Sequence, residues 1–137
     1  MDRSSLDTGA VHHITLTVSD IGRSAEFYTN VLGFQVVAEF GPRVALTNGS
    51  VLLVLTPPPD PAKALANDRF DENRIGLDHV SLAVRDKAAL EKAAVLLDGH
   101  GISHGELKDL GPGFAIHVMA VRDPDNIQLE LTAPYPG

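Results

Sequence analysis

The chain has no cysteine. That removes disulfides, thiolate metal ligands and cysteine nucleophiles together, and it fits a reducing compartment. Basic residues are in deficit, 11 Lys and Arg against 18 Asp and Glu, for a net charge of −7. Nucleic acid and anionic lipid both reward a basic surface, so neither is the expected partner. No apolar run is long enough to span a bilayer. Residues Met1 to Ala10 lack the charged start and apolar stretch of a signal peptide. These absences point to a cytoplasmic protein that acts on something small. With 137 residues the chain can bury enough surface to fold without staples, as one compact unit or as two small ones that share a core.

What is present is a repeat. Val11-His12-His13-Ile14-Thr15-Leu16-Thr17-Val18-Ser19-Asp20 matches Leu77-Asp78-His79-Val80-Ser81-Leu82-Ala83-Val84-Arg85-Asp86 at a constant offset of 66, since 79 − 13 = 86 − 20. Each copy alternates with a period of two, which predicts a half-buried strand. Ile14, Leu16 and Val18 fall on one face and His13, Thr15 and Thr17 on the other; Val80, Leu82 and Val84 oppose His79, Ser81 and Ala83. A helix is expected after each copy, over Ser24 to Leu32 and over Ala88 to Leu97. Asp20 and Asp86 stand where a carboxylate caps free N–H groups, and Gly33 and Gly99 stand at the helix ends.

Three strand-like runs follow in each half. They are Gln35 to Phe40, Arg43 to Thr47 and Val51 to Thr56, then about Ser103 to Lys108, Phe114 to Val121 and Ile127 to Thr132. Gly41-Pro42, Asn48-Gly49, Gly111-Pro112-Gly113 and Asp123-Pro124-Asp125-Asn126 supply the turns. The organisation is therefore one domain over 1–137, with βαβββ modules at 11–56 and 77–133 and a connecting segment at 57–76. A connection that long is unusual inside a compact domain, so part of Pro61 to Asn67 is expected to be helical.

This order resembles the vicinal oxygen chelate superfamily, which includes glyoxalase I, fosfomycin-resistance transferases, extradiol dioxygenases, methylmalonyl-CoA epimerase and bleomycin-resistance proteins. The resemblance runs from about Val11 to Ala133. Besides the two His strands it rests on Arg23-Ser24-Ala25-Glu26-Phe27-Tyr28, Val31-Leu32-Gly33-Phe34, and Asp123-Pro124-Asp125 leading to Leu129-Glu130-Leu131. It implies an α+β fold in which two βαβββ modules form a curved, barrel-like mixed sheet around a cavity, commonly as a homodimer. It also implies one divalent transition metal that binds a small-molecule substrate through neighbouring oxygens.

Carried over residue by residue, the family's ligand positions fall on His13, Val54, His79 and Glu130. Three of these can bind a metal. Strand parity agrees, because His13, His79 and Glu130 all fall on polar faces. Two imidazoles and a carboxylate suit iron, manganese, zinc, nickel or cobalt. Val54 departs from the pattern. In glyoxalase I the fourth position is a ligand that also moves protons, and valine does neither, so reactions that need a base there are disfavoured. Leu52 and Val54, with Val37, would give the substrate pocket an apolar wall suited to an aromatic or alkyl-bearing molecule.

Arg43 is a candidate contact for an anionic substrate, or else a solvated strand end. His117 would serve as acid or base if it faces the cavity, and is otherwise a core or surface histidine. His12 has the wrong parity for a ligand, His100 and His104 sit near a turn, and Tyr28 reads as core. Two functions follow from the resemblance. One is a metalloenzyme of glyoxalase, dioxygenase or transferase type. The alternative is a bleomycin-resistance-like protein that sequesters an antibiotic or other small molecule without catalysis.

Overall fold

A computed structural model describes residues 5–136 of the chain. The chain divides at Pro59/Asp60 into two compact units. The first carries β1 (Ile14–Thr17), α1 (Ile21–Asn30), β2 (Gln35–Phe40), β3 (Arg43–Thr47) and β4 (Leu52–Thr56). The second carries a short 3-10 turn at Pro61–Lys63, then β5 (Val80–Ala83), α2 (Lys87–Gly99), β6 (Lys108–Asp109), β7 (Ile116–Arg122) and β8 (Gln128–Pro134). The strand orders are β1-β4-β3-β2 and β5-β8-β7-β6, so the fold is α+β with two βαβββ modules. Among the described residues the strands form two four-stranded mixed sheets, one in each unit, as the α+β reading with two βαβββ modules expects.

Each module is built by the same local physics. The strand-to-helix turn is closed by an aspartate, with Asp20 accepting from the Arg23 N–H at 2.9 Å and Asp86 from the Ala89 N–H at 2.9 Å. Gly33 leaves α1 at φ +76°, the left-handed value that a side chain disfavours. The helix then packs on the apolar face of its own sheet. In the first unit Tyr28 and Phe27 of α1 are buried, as are Leu16, Leu46, Leu53 and Leu55. In the second, Leu90 and Leu97 of α2 are buried, as are Met119, Val121, Leu129, Leu131 and Ala133.

The two outer strands share an irregularity. Pairing of β2 with β3 slips by one residue between Val36 and Ala38, which leaves Val37 as the bulge. In the second unit His104 bridges Val121 and Gly105 N–H reaches Ala120 O at 2.8 Å, but regular pairing resumes only at Lys108 opposite Val118. The strand expected over Ser103 to Lys108 is thus reduced to Lys108–Asp109, because the register slips before the ladder is established. Bulges of this kind twist an edge strand and blunt its tendency to pair further. Among the described residues no helix is long and apolar enough to cross a membrane.

Candidate metal centre

β8 sets the chemistry of the second unit by strict alternation. Leu129, Leu131 and Ala133 are buried, while Gln128, Glu130 and Thr132 lie on the other, part-exposed face. Parallel pairing places Ser81 of β5 opposite Glu130. His79 precedes Ser81 by two residues and so shares its face. Its Nε2 lies 3.6 Å from Glu130 Oε1, with the imidazole 38% and the carboxylate 24% exposed.

Both side chains are oriented from behind. Thr132 Oγ1 donates to Glu130 Oε1 at 3.2 Å. Since a hydroxyl has one proton, Ser81 donates in the hydrogen bond it makes with Thr132 Oγ1. On the imidazole, Nδ1 lies 2.8 Å from Asp78 Oδ1. A carboxylate oxygen accepts, so Nδ1 carries a proton, and Nε2 is the nitrogen on the side of Glu130. Two donors bound to one metal at ~2.0–2.2 Å sit roughly 3.4 Å apart in a tetrahedral arrangement. The 3.6 Å separation is close to that, and the donor types suit a transition ion.

The hydrogen bonding continues away from the pair. Gln128 Nε2 donates to Asp78 Oδ1 at 2.9 Å and to Asp78 O at 3.0 Å. Its Oε1 accepts from Arg122 Nη2 at 3.4 Å. Arg122 in turn grips Glu72 of the connecting segment through two 2.8 Å hydrogen bonds, a fork-to-fork pairing. Those bonds hold the Glu72 carboxyl down at about 2, from an ordinary 4.5, and push the Arg122 guanidinium up. The segment is pinned beside this point, with Phe70 N–H donating to Asp125 O at 2.9 Å and Asn126 Nδ2 to Phe70 O at 3.0 Å. A cleft of about 560 Å³ opens there, lined among others by Arg69, Phe70, Arg74, Arg122 and Asn126. Two of its arginines are matched by acids of the segment, Arg122 by Glu72 and Arg74 by Asp68.

The first unit repeats the frame with different chemistry. Thr15 pairs with Val54 as Ser81 pairs with Glu130, so Val54 holds the register position of Glu130. It is 7% exposed and carries no donor atom. Leu52, half-buried, lies two residues before it on the same face. Arg43 Nε donates to Thr56 Oγ1 at 3.2 Å, which places the guanidinium on that face too. Phe40, 47% exposed, pairs with Arg43 and adds an aromatic ring that the sequence reading missed. Val37 is the bulge residue and stands out of register with that face. His13 and His12 are exposed, with their Nδ1 atoms 2.9 Å apart.

Among the described residues no group of three or more His, Cys, Asp or Glu converges as a metal-binding cluster. The structure therefore brings His79 and Glu130 together within the second unit, and His13 belongs to the first. His117 lies on the buried face of β7, opposite Ala133, which is the face turned away from Glu130. Its Nε2 is 3.6 Å from Asp109, its ring lies 4.8 Å from that of Tyr135, and its Nδ1 has no protein partner. His104 is held by Asp98 at 2.8 Å and by Gly105 O at 2.7 Å. The Gly105 carbonyl first, then Asp98, pushes its imidazole up. His100 caps the end of α2. The orienting residues Asp78 and Gln128 were legible only as neighbours of candidate ligands, one position before His79 and two before Glu130.

A family model described as the Glyoxalase/Bleomycin resistance protein/Dioxygenase superfamily matches residues 10–131. The catechol-2,3-dioxygenase of Bacillus subtilis (strain 168) is 28% identical over 126 residues, which cover 92% of this chain but 42% of that protein. The chain thus spans less than half the length of that relative. The glyoxylase/bleomycin resistance protein/dioxygenase domain from Frankia sp. EAN1pec has a TM-score of 0.79 at 28% identity, with 96% of each chain covered. The lactoylglutathione lyase of Agrobacterium tumefaciens has a TM-score of 0.70 at 22% identity, covering 92% of this chain and 94% of its own, a likeness of fold.

Proposed function

The chain belongs to the Glyoxalase/Bleomycin resistance protein/Dioxygenase superfamily, and on that premise we propose that it is a metal-dependent enzyme that holds a small oxygenated substrate by two neighbouring oxygens. The observation that carries this reading is the facing pair His79 Nε2 and Glu130 Oε1, 3.6 Å apart, with the imidazole Nδ1–H given to Asp78. His79 and Glu130 are the ligands in this reading, with His13 as the third on the strength of the repeat. When bound, a divalent ion of iron, manganese, zinc, nickel or cobalt supplies Lewis-acid stabilisation of charge that develops on a chelated oxygen.

The chain's own residues shape the rest. Val54 provides neither a ligand nor a base where Glu130 stands in the other module, so residue 54 moves no proton. That favours dioxygenase-like chemistry over reactions that need a base at this position. Leu52, Val54 and Phe40 offer apolar and aromatic contact to a partly apolar substrate, and Arg43 lies on the same face for an anionic group. His117 takes no part, because its face of the sheet is the buried one. The reading also includes a cytoplasmic homodimer. The outer strand β2 exposes Val36, Val37 and Phe40, which a second copy would cover.

The test is metal content and Co²⁺ affinity of protein purified without a chelating tag. Wild type should carry one transition ion per chain, and His79→Ala and Glu130→Gln should each weaken Co²⁺ binding at least tenfold, whereas His117→Gln should not. A metal-free protein that tightly binds an aromatic antibiotic would instead establish sequestration.

A further inference from the structure

The two modules brace their candidate ligand histidines differently. His79 is preceded by Asp78, whose Oδ1 accepts from the imidazole Nδ1–H at 2.8 Å. His13 is preceded by His12, and there two Nδ1 atoms face each other at 2.9 Å, so one ring's donor is the other's acceptor. The difference extends one strand further. Gln128 of β8 donates to both the backbone carbonyl and the carboxylate of Asp78. Its register equivalent in the first module is Leu52, which has no amide to offer.

We propose that Asp78 is the positioning residue for His79, and that Gln128 holds it in that role from the strand that also carries Glu130. The inference rests on His79 and Glu130 as metal ligands. Asp78 is 67% exposed, and a side chain that open ordinarily samples several rotamers. Two hydrogen bonds from one amide select the rotamer that meets Nδ1. The same amide's Oε1 accepts from Arg122 Nη2, and Glu72 holds that guanidinium through both of its own oxygens. Gln128 and Glu130 are two residues apart on one strand, so brace and ligand move as a unit. The chain of contacts therefore runs from the connecting segment to Nε2. It fixes which nitrogen is free and where that nitrogen points, in the way that outer carboxylates act on ligand histidines elsewhere.

The experiment pairs imidazole-nitrogen NMR on metal-free protein in alkaline buffer with Co²⁺ titration. Wild-type His79 should carry its proton on Nδ1. In Asp78→Ala the proton should move to Nε2, with Co²⁺ binding about tenfold weaker, the low end of the usual range because Asp78 is so exposed. Asp78→Glu should restore much of both, and Gln128→Leu should fall between. A wild-type His79 protonated on Nε2 would overturn the proposal. So would an Asp78→Ala variant with an unchanged tautomer or unchanged Co²⁺ affinity. If the tautomer responds as expected but wild type binds no Co²⁺, the brace stands and the metal-enzyme reading falls.

Discussion

Val54 and Glu130 hold the same register position in sheets of the same strand order: Val54 lies opposite Thr15 and Ala45, and Glu130 lies opposite Ser81 and Ala120. One module thus keeps a carboxylate where the other has closed the position with an aliphatic side chain. Val54→Glu should not simply restore a ligand. The site is 7% exposed, so the new carboxyl would be buried without a partner. Destabilisation of roughly 2–4 kcal/mol is expected by urea denaturation. A loss of a few tenths would mean that the position opens readily to water.

The Glu72–Arg122 pair should leave a mark on acid stability. The Glu72 carboxyl sits at about 2 when folded against an ordinary 4.5, so its contribution is complete above pH 4.5 and disappears as pH falls toward 2. Glu72→Gln should flatten the stability profile between those values and leave its shape near neutrality unchanged. Urea denaturation across that window tests this. An identical slope in the variant would show that the carboxylate is not held by Arg122 in solution.

Tyr135 donates its hydroxyl to Asp109, which raises the phenol above 10 and holds the carboxyl below its usual range. The contact therefore stabilises from above the ordinary carboxylate range up to pH 10, and is lost as pH rises through the raised phenol value. Only Tyr28 and Tyr135 are present, so Tyr28→Phe leaves one chromophore. Its ultraviolet titration should have a midpoint above 10, and Asp109→Asn should bring it back toward the ordinary value. No difference between the two backgrounds would rule the contact out.

Ala115 adopts φ +56°, where an L side chain is strained. Its N–H and carbonyl are both engaged, with Gly111 O and Tyr135 N–H at 2.9 Å each, so the conformation is held from both sides. Ala115→Gly should relieve ~1–2 kcal/mol of strain. The more flexible unfolded chain should take back about 0.5–1 kcal/mol of that. A net gain of about 0.5–1 kcal/mol is expected in thermal or chemical denaturation.

The repeat was legible because strand alternation and helix caps are local. Ile14, Leu16 and Val18 against His13, Thr15 and Thr17 needs only a period of two, and Asp20 and Asp86 cap the helices that the sequence places after them. Arg43–Thr47 and Gln35–Phe40 were readable as strands to the residue, since turn residues bound them on both sides. The second module's outer strand was not. Whether Ser103 to Lys108 pairs along its length depends on Ala120 and Val121, which are distant in sequence, and on a slip in register that no local pattern announces.

The candidate site divides in the same way. By itself the sequence determined which residues could be ligands, because residue type and strand parity decide which side chains reach a polar face. Tertiary structure decided that His79 meets Glu130, through the parallel register of β5 on β8. It also turned His117 onto the buried face and assembled Asp78, Gln128, Arg122 and Glu72 into one hydrogen-bonded line. A hydrogen bond is satisfied by whichever partner the fold delivers at about 3 Å. Residues 50 positions apart carry no mark of it until the strands have paired.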